Sequence, residues 1–193
     1  MKLQTIILIL SLFFTSIHAA PSCVARPGKA GLWFLKDGAY YPCATTTRYW
    51  DGFKGACGCG TGEGTGVAFS WQSEILTAAG SDPLFGSGSW CGAGCGRCYL
   101  VTPTGGYIEG QGKAPTDRQT RLVMVSNMCP SRDNVQWCTS PNQYGYSAHF
   151  DMMDYNMNGI ITQIGWDNPE VYFELVDCPD AQLSKWEQCQ CYH

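Results

Sequence analysis

The sequence predicts an all-β fold with long disulfide-pinned loops and a few short helices. Its apolar runs are short, alternate in strand fashion and are separated by dense turn signals. Glycine is frequent, with 23 in 193 residues, and concentrates in stretches that cannot pack a core. The cysteines number 12, an even count, as a disulfide framework requires. Many short strands and few helices indicate a closed barrel or a sandwich.

The chain opens with Met1 and Lys2, then an apolar run from Thr5 to Phe14, then small residues at Ala19 and Ala20. A positive start, a short apolar stretch and a small-residue site read as a secretory signal over 1–19. The run is shorter than the roughly 20 residues that a spanning helix needs. Residues 20–193 are then expected to form one secreted, extracellular domain with no membrane partner and no tethered module. A monomer is expected. The formal net charge is −4 and no Lys/Arg run occurs, which argues against nucleic acid. All the cysteines follow the signal, and an oxidising compartment favours six disulfides over metal. Cys57-x-Cys59 and Cys91-x3-Cys95-x2-Cys98 have ligand-like spacing, but secretion argues against zinc there. No metal and no cofactor are expected.

Along the chain, residues 20 to about 44 are short elements broken by Pro and Gly, with Trp33 and Phe34 expected in the core. Thr45-Thr46-Thr47-Arg48-Tyr49-Trp50-Asp51 reads as extended. Its period of two places Thr47, Tyr49 and Asp51 on one face and Arg48 and Trp50 on the other. Gly52 to Gly66 is a loop tied by Cys57 and Cys59. Trp71 to Ala79 is the best helix candidate, with Trp71, Ile75 and Ala78-Ala79 near one face and Gly80 as a stop. A second glycine-rich loop runs from Phe85 to Gly96. Strands follow at Cys98–Val101, Tyr107–Glu109 and Arg121–Ser126; the last is apolar on both faces and expected to be central. Ala148–Met152 and Val171–Val176 complete the set.

Two carboxylates carry the chemistry. Asp51 ends a strand among hydroxyls and aromatic rings, a setting suited to polyhydroxylated ligands. Asp151 shares a strand face with His149, while Phe150 and Met152 point to the core. A partly desolvated carboxylate has a raised pKa, as a general acid requires. Two such acids flanking a groove fit glycoside hydrolysis. Rival constellations are missing: the three histidines are His18, His149 and His193, and no G-x-S-x-G elbow, P-loop or dinucleotide fingerprint occurs.

At these stretches the sequence resembles glycoside hydrolase family 45, secreted endo-β-1,4-glucanases, in its invertebrate, mollusc-like branch more than its best-known fungal branch. The resemblance rests on Thr46 to Asp51, His149-Phe150-Asp151, the stretch from Gly86 to Tyr99, and Asn127-Met128-Cys129-Pro130. It implies a six-stranded double-psi β-barrel with an open groove and inverting hydrolysis of β-1,4-glucan. Asp51 is then the general base and Asp151 the general acid. An inverting pair lies about 6.5–9.5 Å apart, leaving room for water. Thr47 and Tyr49 would line the groove, and His149 would orient its neighbour or the substrate. The fungal branch has an assisting Asp before the second motif, and Cys138 to Phe150 holds no acid here. Relatives with the Asn-x-Cys-Pro motif place that amide near the catalytic pair, so the resemblance makes Asn127 the candidate assistant; Asp133 is a weaker one. Among the tryptophans Trp50, Trp90, Trp137 and Trp166, Trp137 is expected to stack on sugar. Expansins, which loosen walls without cleavage, resemble the sequence at the second motif but lack a base at Asp51. They are the alternative, with a glucan-binding module as a third class.

Overall fold

The computed structural model describes residues 22–157 and 159–192. The proposed signal over 1–19 lies outside the described residues. Eight strands form one sheet: β1 (Val24–Ala25), β2 (Leu32–Lys36), β3 (Ala39–Tyr49), β4 (Thr77–Gly80), β5 (Cys98–Tyr107), β6 (Arg121–Met128), β7 (Ala148–Met153) and β8 (Pro169–Val176). Three short helices accompany them: α1 (Asp82–Phe85), α2 (Ile160–Gln163) and α3 (Asp180–Trp186).

Six strands close on themselves in the order β3-β7-β4-β6-β5-β8, because β8 pairs back with β3 through Cys43↔Tyr172 and Ala44↔Val171. The pairs β3/β7 and β4/β6 are parallel; the other barrel pairs are antiparallel. This is the expected double-psi barrel. Closure removes free strand edges from the barrel. Strands β1 and β2 extend β3 as an antiparallel appendage outside it.

The barrel fills with inward side chains from alternate positions. Val101, Val123, Val125, Phe150, Met152 and Val171 are fully or almost fully buried. Tyr99, Phe150 and Phe173 meet edge to face, with centroids 5.3–5.8 Å apart, a geometry that aromatic quadrupoles favour. As expected, β6 is central and β7 buries Phe150 and Met152.

Three expectations are corrected. Trp71 to Ala79 is not a helix: a 3₁₀ turn covers Ser70–Ser73, and Thr77–Gly80 is β4, buried throughout between β6 and β7. Small side chains at 78–80 imitate a helix face, but here they let neighbouring elements approach. A Cβ on Gly80 would lie 2.8 Å from the Leu84 Cβ. Tyr107 is not a separate strand but the end of β5. Trp33 is only partly buried, with its ring beneath the Arg26 guanidinium, whereas Phe34 does pack, stacked on Tyr172 at 4.8 Å.

All twelve cysteines are paired. Cys57–Cys95, Cys59–Cys189 and Cys91–Cys191 fasten the two glycine-rich loops to each other and to the C-terminal segment. Cys23–Cys43 and Cys98–Cys178 anchor flanking segments to β3 and β5, and Cys129–Cys138 closes the loop after β6. Cross-links of this kind constrain the unfolded chain, which matters most for loops with no core of their own.

Candidate active site

The parallel pairing of β3 and β7 sets Thr45 beside His149 and Thr47 beside Asp151. Alternation then turns Thr45, Thr47, His149 and Asp151 to a common side. Thr47 Oγ1 donates to Asp151 Oδ1 at 2.6 Å and lies 2.9 Å from His149 Nε2. Its single proton goes to the carboxylate, so the Nε2–H of His149 donates to Thr47. His149 Nδ1 is therefore the acceptor, taking the Thr45 hydroxyl proton at 2.8 Å. Asn142 Nδ2 in turn donates to Thr45 Oγ1 at 2.8 Å. One tautomer of His149 thus satisfies an ordered chain from Asn142 to Asp151.

His149 is fully buried. Burial holds its pKa down at about 3, so the ring is neutral at any ordinary working pH. Ser81 Oγ accepts its backbone N–H at 2.9 Å, and Trp137 lies over the ring at 5.5 Å. Trp137 also packs against Tyr144 at 4.8 Å.

Asp151 is mostly buried, and desolvation lifts its pKa to about 6. The Thr47 hydrogen bond pulls the other way, and the charge of Asp51 adds to the rise. Tyr49 is pushed up chiefly by burial, with Asp151 and Asp51 both adding to the shift. The phenol therefore stands within electrostatic reach of both acids.

Asp51 lies just beyond the end of β3 and is exposed. Its Oδ1 accepts the Phe53 amide at 3.0 Å, forming an Asx turn that orients the carboxylate. The loop that follows is held by Asn127. Its Oδ1 accepts the amides of Ala56 at 2.7 Å and Met128 at 2.8 Å, and its Nδ2 reaches the Tyr49 hydroxyl at 3.5 Å. The β4/β6 register slips between Ala78 and Ala79, so that Ser126 is passed over and Asn127 pairs with Ala79. Bulges commonly re-aim side chains next to active sites.

The sequence-derived candidates thus fall into groups. Thr47, His149 and Asp151 form one hydrogen-bonded unit, while Tyr49 and Asn127 lie between it and the Asp51 loop. Trp137 sits behind His149. Trp166 is core at 2% exposure, whereas Trp50 and Trp90 are about half exposed at 49% and 48%. Arg48, on the opposite face of β3, pairs with Asp154 at 3.7 Å. Asp133 is exposed in the loop after β6. Sequence reading missed Thr45, Asn142 and Ser81. Thr45 was discoverable, since it shares the period of Thr47; Asn142 and Ser81 come from loops with no pattern to mark them.

Among the described residues, Cys129, Cys138 and His149 cluster as three possible metal ligands. The two thiols are joined to each other and both His149 nitrogens are engaged by threonines, so no ligand set is available there. The ligand-spaced cysteines at 57, 59, 91, 95 and 98 are all spent in disulfides.

Comparison with known proteins bears on this constellation. The EXPB1-like domain 1 family model matches residues 44–188, spanning both acids. Endoglucanase-5 of Hypocrea jecorina is 47% identical over 158 residues, covering 77% of this chain; the chain spans 62% of that protein's length. The endoglucanase of Mytilus edulis is 39% identical over 168 residues, 78% of this chain and 91% of the mussel enzyme. A rice expansin, Expansin-A32, is 36% identical over 69% of this chain and 45% of its own length. Among solved structures, the GH45 endoglucanase EG27II in complex with cellobiose superposes with a TM-score of 0.74 at 40% identity, covering 83% of this chain and 93% of that one. Cel45A from the blue mussel superposes with a TM-score of 0.75 at 35% identity, covering 90% and 99%. The chain carries an EXPB1-like domain 1 barrel and belongs to the glycoside hydrolase family 45 endoglucanases.

Proposed function

We propose that Asp151 and Asp51 are the general acid and general base with which this family 45 endoglucanase hydrolyses internal β-1,4-glucosidic bonds of cellulose and related glucans, with inversion. The observation that carries the reading is the contrast between two neighbouring acids. Asp151 is desolvated enough to keep a proton near pH 6, while Asp51 stands exposed at the loop, where an attacking water can reach it. In the reaction, Asp151 protonates the leaving glycosidic oxygen. Asp51 takes a proton from water as that water attacks the anomeric carbon from the opposite face.

The remaining residues divide between substrate and support. Thr47 and Tyr49 line the groove beside the reacting sugar. His149 has no exposed surface, so it orients Asp151 through Thr47 and does not touch glucan. Trp137, partly exposed and lying over His149, is the ring that stacks on sugar. Asn127 assists by fixing the loop that carries Asp51 and the Tyr49 hydroxyl. Cellobiose bound to EG27II supports a β-1,4-glucan as the ligand of this chain. Six disulfides support an extracellular enzyme.

The anomeric configuration of the first products tests the mechanism. Early proton NMR spectra of a digest are expected to show α-anomers; β-anomers would refute inversion. A second reading, non-hydrolytic wall loosening, has weaker support, in the match to the EXPB1-like domain and to a rice expansin. That reading requires that no new reducing ends appear.

A further inference from the structure

The outer wall of the barrel carries a cavity far from the two acids. It has a volume of about 120 Å³ and lies where β8 and β5 meet the β2–β3 appendage. Thr102 pairs across the strands with Tyr172, and Leu100 with Glu174, so these four side chains face outward together. Tyr41 of β3 adds a wall. Tyr41 pairs with Phe34 and lies six residues before Thr47 on β3, so the cavity sits about 20 Å along the strand from the catalytic unit at ~3.3 Å per residue.

The lining is chemically mixed. Tyr172 is held rigidly: Phe34 stacks on it at an interplanar angle of 9°, and Tyr41 approaches at 5.4 Å. Leu100 remains 37% exposed. Leu100, Tyr41 and the exposed edge of Tyr172 supply the apolar part of the lining, Phe34 covering one face of the Tyr172 ring. Lys36 Nζ donates to the Tyr172 hydroxyl at 3.0 Å, and Glu174 lines the same space. One cation and one anion cancel, so the lining favours no ion. What remains is a set of donors and acceptors around apolar surface, including the Thr102 hydroxyl, which is bonded to Thr120 at 2.8 Å. A pyranose ring presents the matching surface, with C–H groups on its faces and hydroxyls around its rim. The volume suits one ring and not a long oligosaccharide; drug-sized ligands occupy about 300 Å³ or more.

We propose that this cavity is a second, non-catalytic glucan site, which holds a sugar ring of an insoluble polysaccharide while the groove works elsewhere on it. The inference rests on the reading that β-1,4-glucan is the substrate. Two linked sites raise avidity on a multivalent surface without changing the chemistry at either one, and they do little for a soluble chain that engages only the groove.

Two variants at exposed positions test it. Leu100→Arg fills the cavity, and its guanidinium faces Glu174 across the strands. Glu174→Ala removes an acceptor. Retention on insoluble cellulose is measured in the cold with each change placed in an Asp151→Asn background, and carboxymethylcellulose hydrolysis is measured in the wild-type background. Several-fold weaker retention with unchanged hydrolysis of the soluble substrate is the expected result. Wild-type retention in both variants overturns the second site. If the parent enzyme cleaves no soluble glucan, the proposed function fails, yet the retention comparison still decides whether this cavity binds the polysaccharide.

Discussion

Asp151 must carry a proton to act as an acid, and its surroundings set where that proton leaves. Burial raises its pKa to about 6, so the acid is loaded below that value and empty above it. Activity is expected to fall as pH rises through about 6, a limb read from kcat/KM against pH. The Thr47 hydrogen bond favours the carboxylate form, so Thr47→Val is expected to move that limb to higher pH while lowering the rate. The same change strands the buried Nε2–H of His149, which costs about 1–3 kcal/mol of stability. The raised pKa is also a statement about folding. The unfolded side chain titrates near 4, so the favourable contribution of Asp151 is fully present below that value and is lost as pH rises through about 6. Asp151→Asn is therefore expected to abolish hydrolysis yet gain stability relative to wild type between pH 4 and pH 8, by on the order of 2 kcal/mol in urea unfolding.

At the scale of elements, β4 and the loop after Asp51 test how tightly the site is framed. Ala78 has no exposed surface between β6 and β7, and Ala78→Leu is expected to destabilise by about 1–3 kcal/mol through overpacking, measured by circular dichroism in denaturant. Gly55 lies against Asn127; an added Cβ would come 2.5 Å from its Cγ. Gly55→Ala is expected to displace the amide that fixes Ala56 and thereby lower kcat. The legibility of these elements differs for physical reasons. β3, β6, β7 and β8 were readable because alternation and β-branched runs mark strands directly, and the His149–Asp151 face followed from the same period. β4 was misread because Ala and Gly fit a helix face as well as a crowded strand, and only its neighbours decide. Thr47 and Asp151 could be placed on faces, but their meeting required the parallel β3/β7 register, which no local signal encodes. Asn142 was invisible because it reaches Thr45 from a loop 97 residues away.

At the scale of the molecule, a closed barrel holds Asp151, the proposed acid, on a largely buried strand, while disulfide-fastened loops frame Asp51, the proposed base. On the proposed roles, that division places the rigid requirement, a fixed desolvated proton donor, on the barrel wall. The adaptable requirement, access for water and a long polymer, stays at the surface. With all twelve cysteines paired, thiol titration of the denatured, unreduced protein is expected to find none; two or more free thiols per chain would contradict this framework. On the proposed roles, Asp51 and Asp151 together make this barrel a hydrolase, not a wall-loosening relative. Reducing-end release from carboxymethylcellulose tests it most directly, with the wild type assayed beside Asp51→Asn and Asp151→Asn. Steady release by the wild type and none by either folded variant is expected. Release by a folded variant, or none by the wild type, would contradict it.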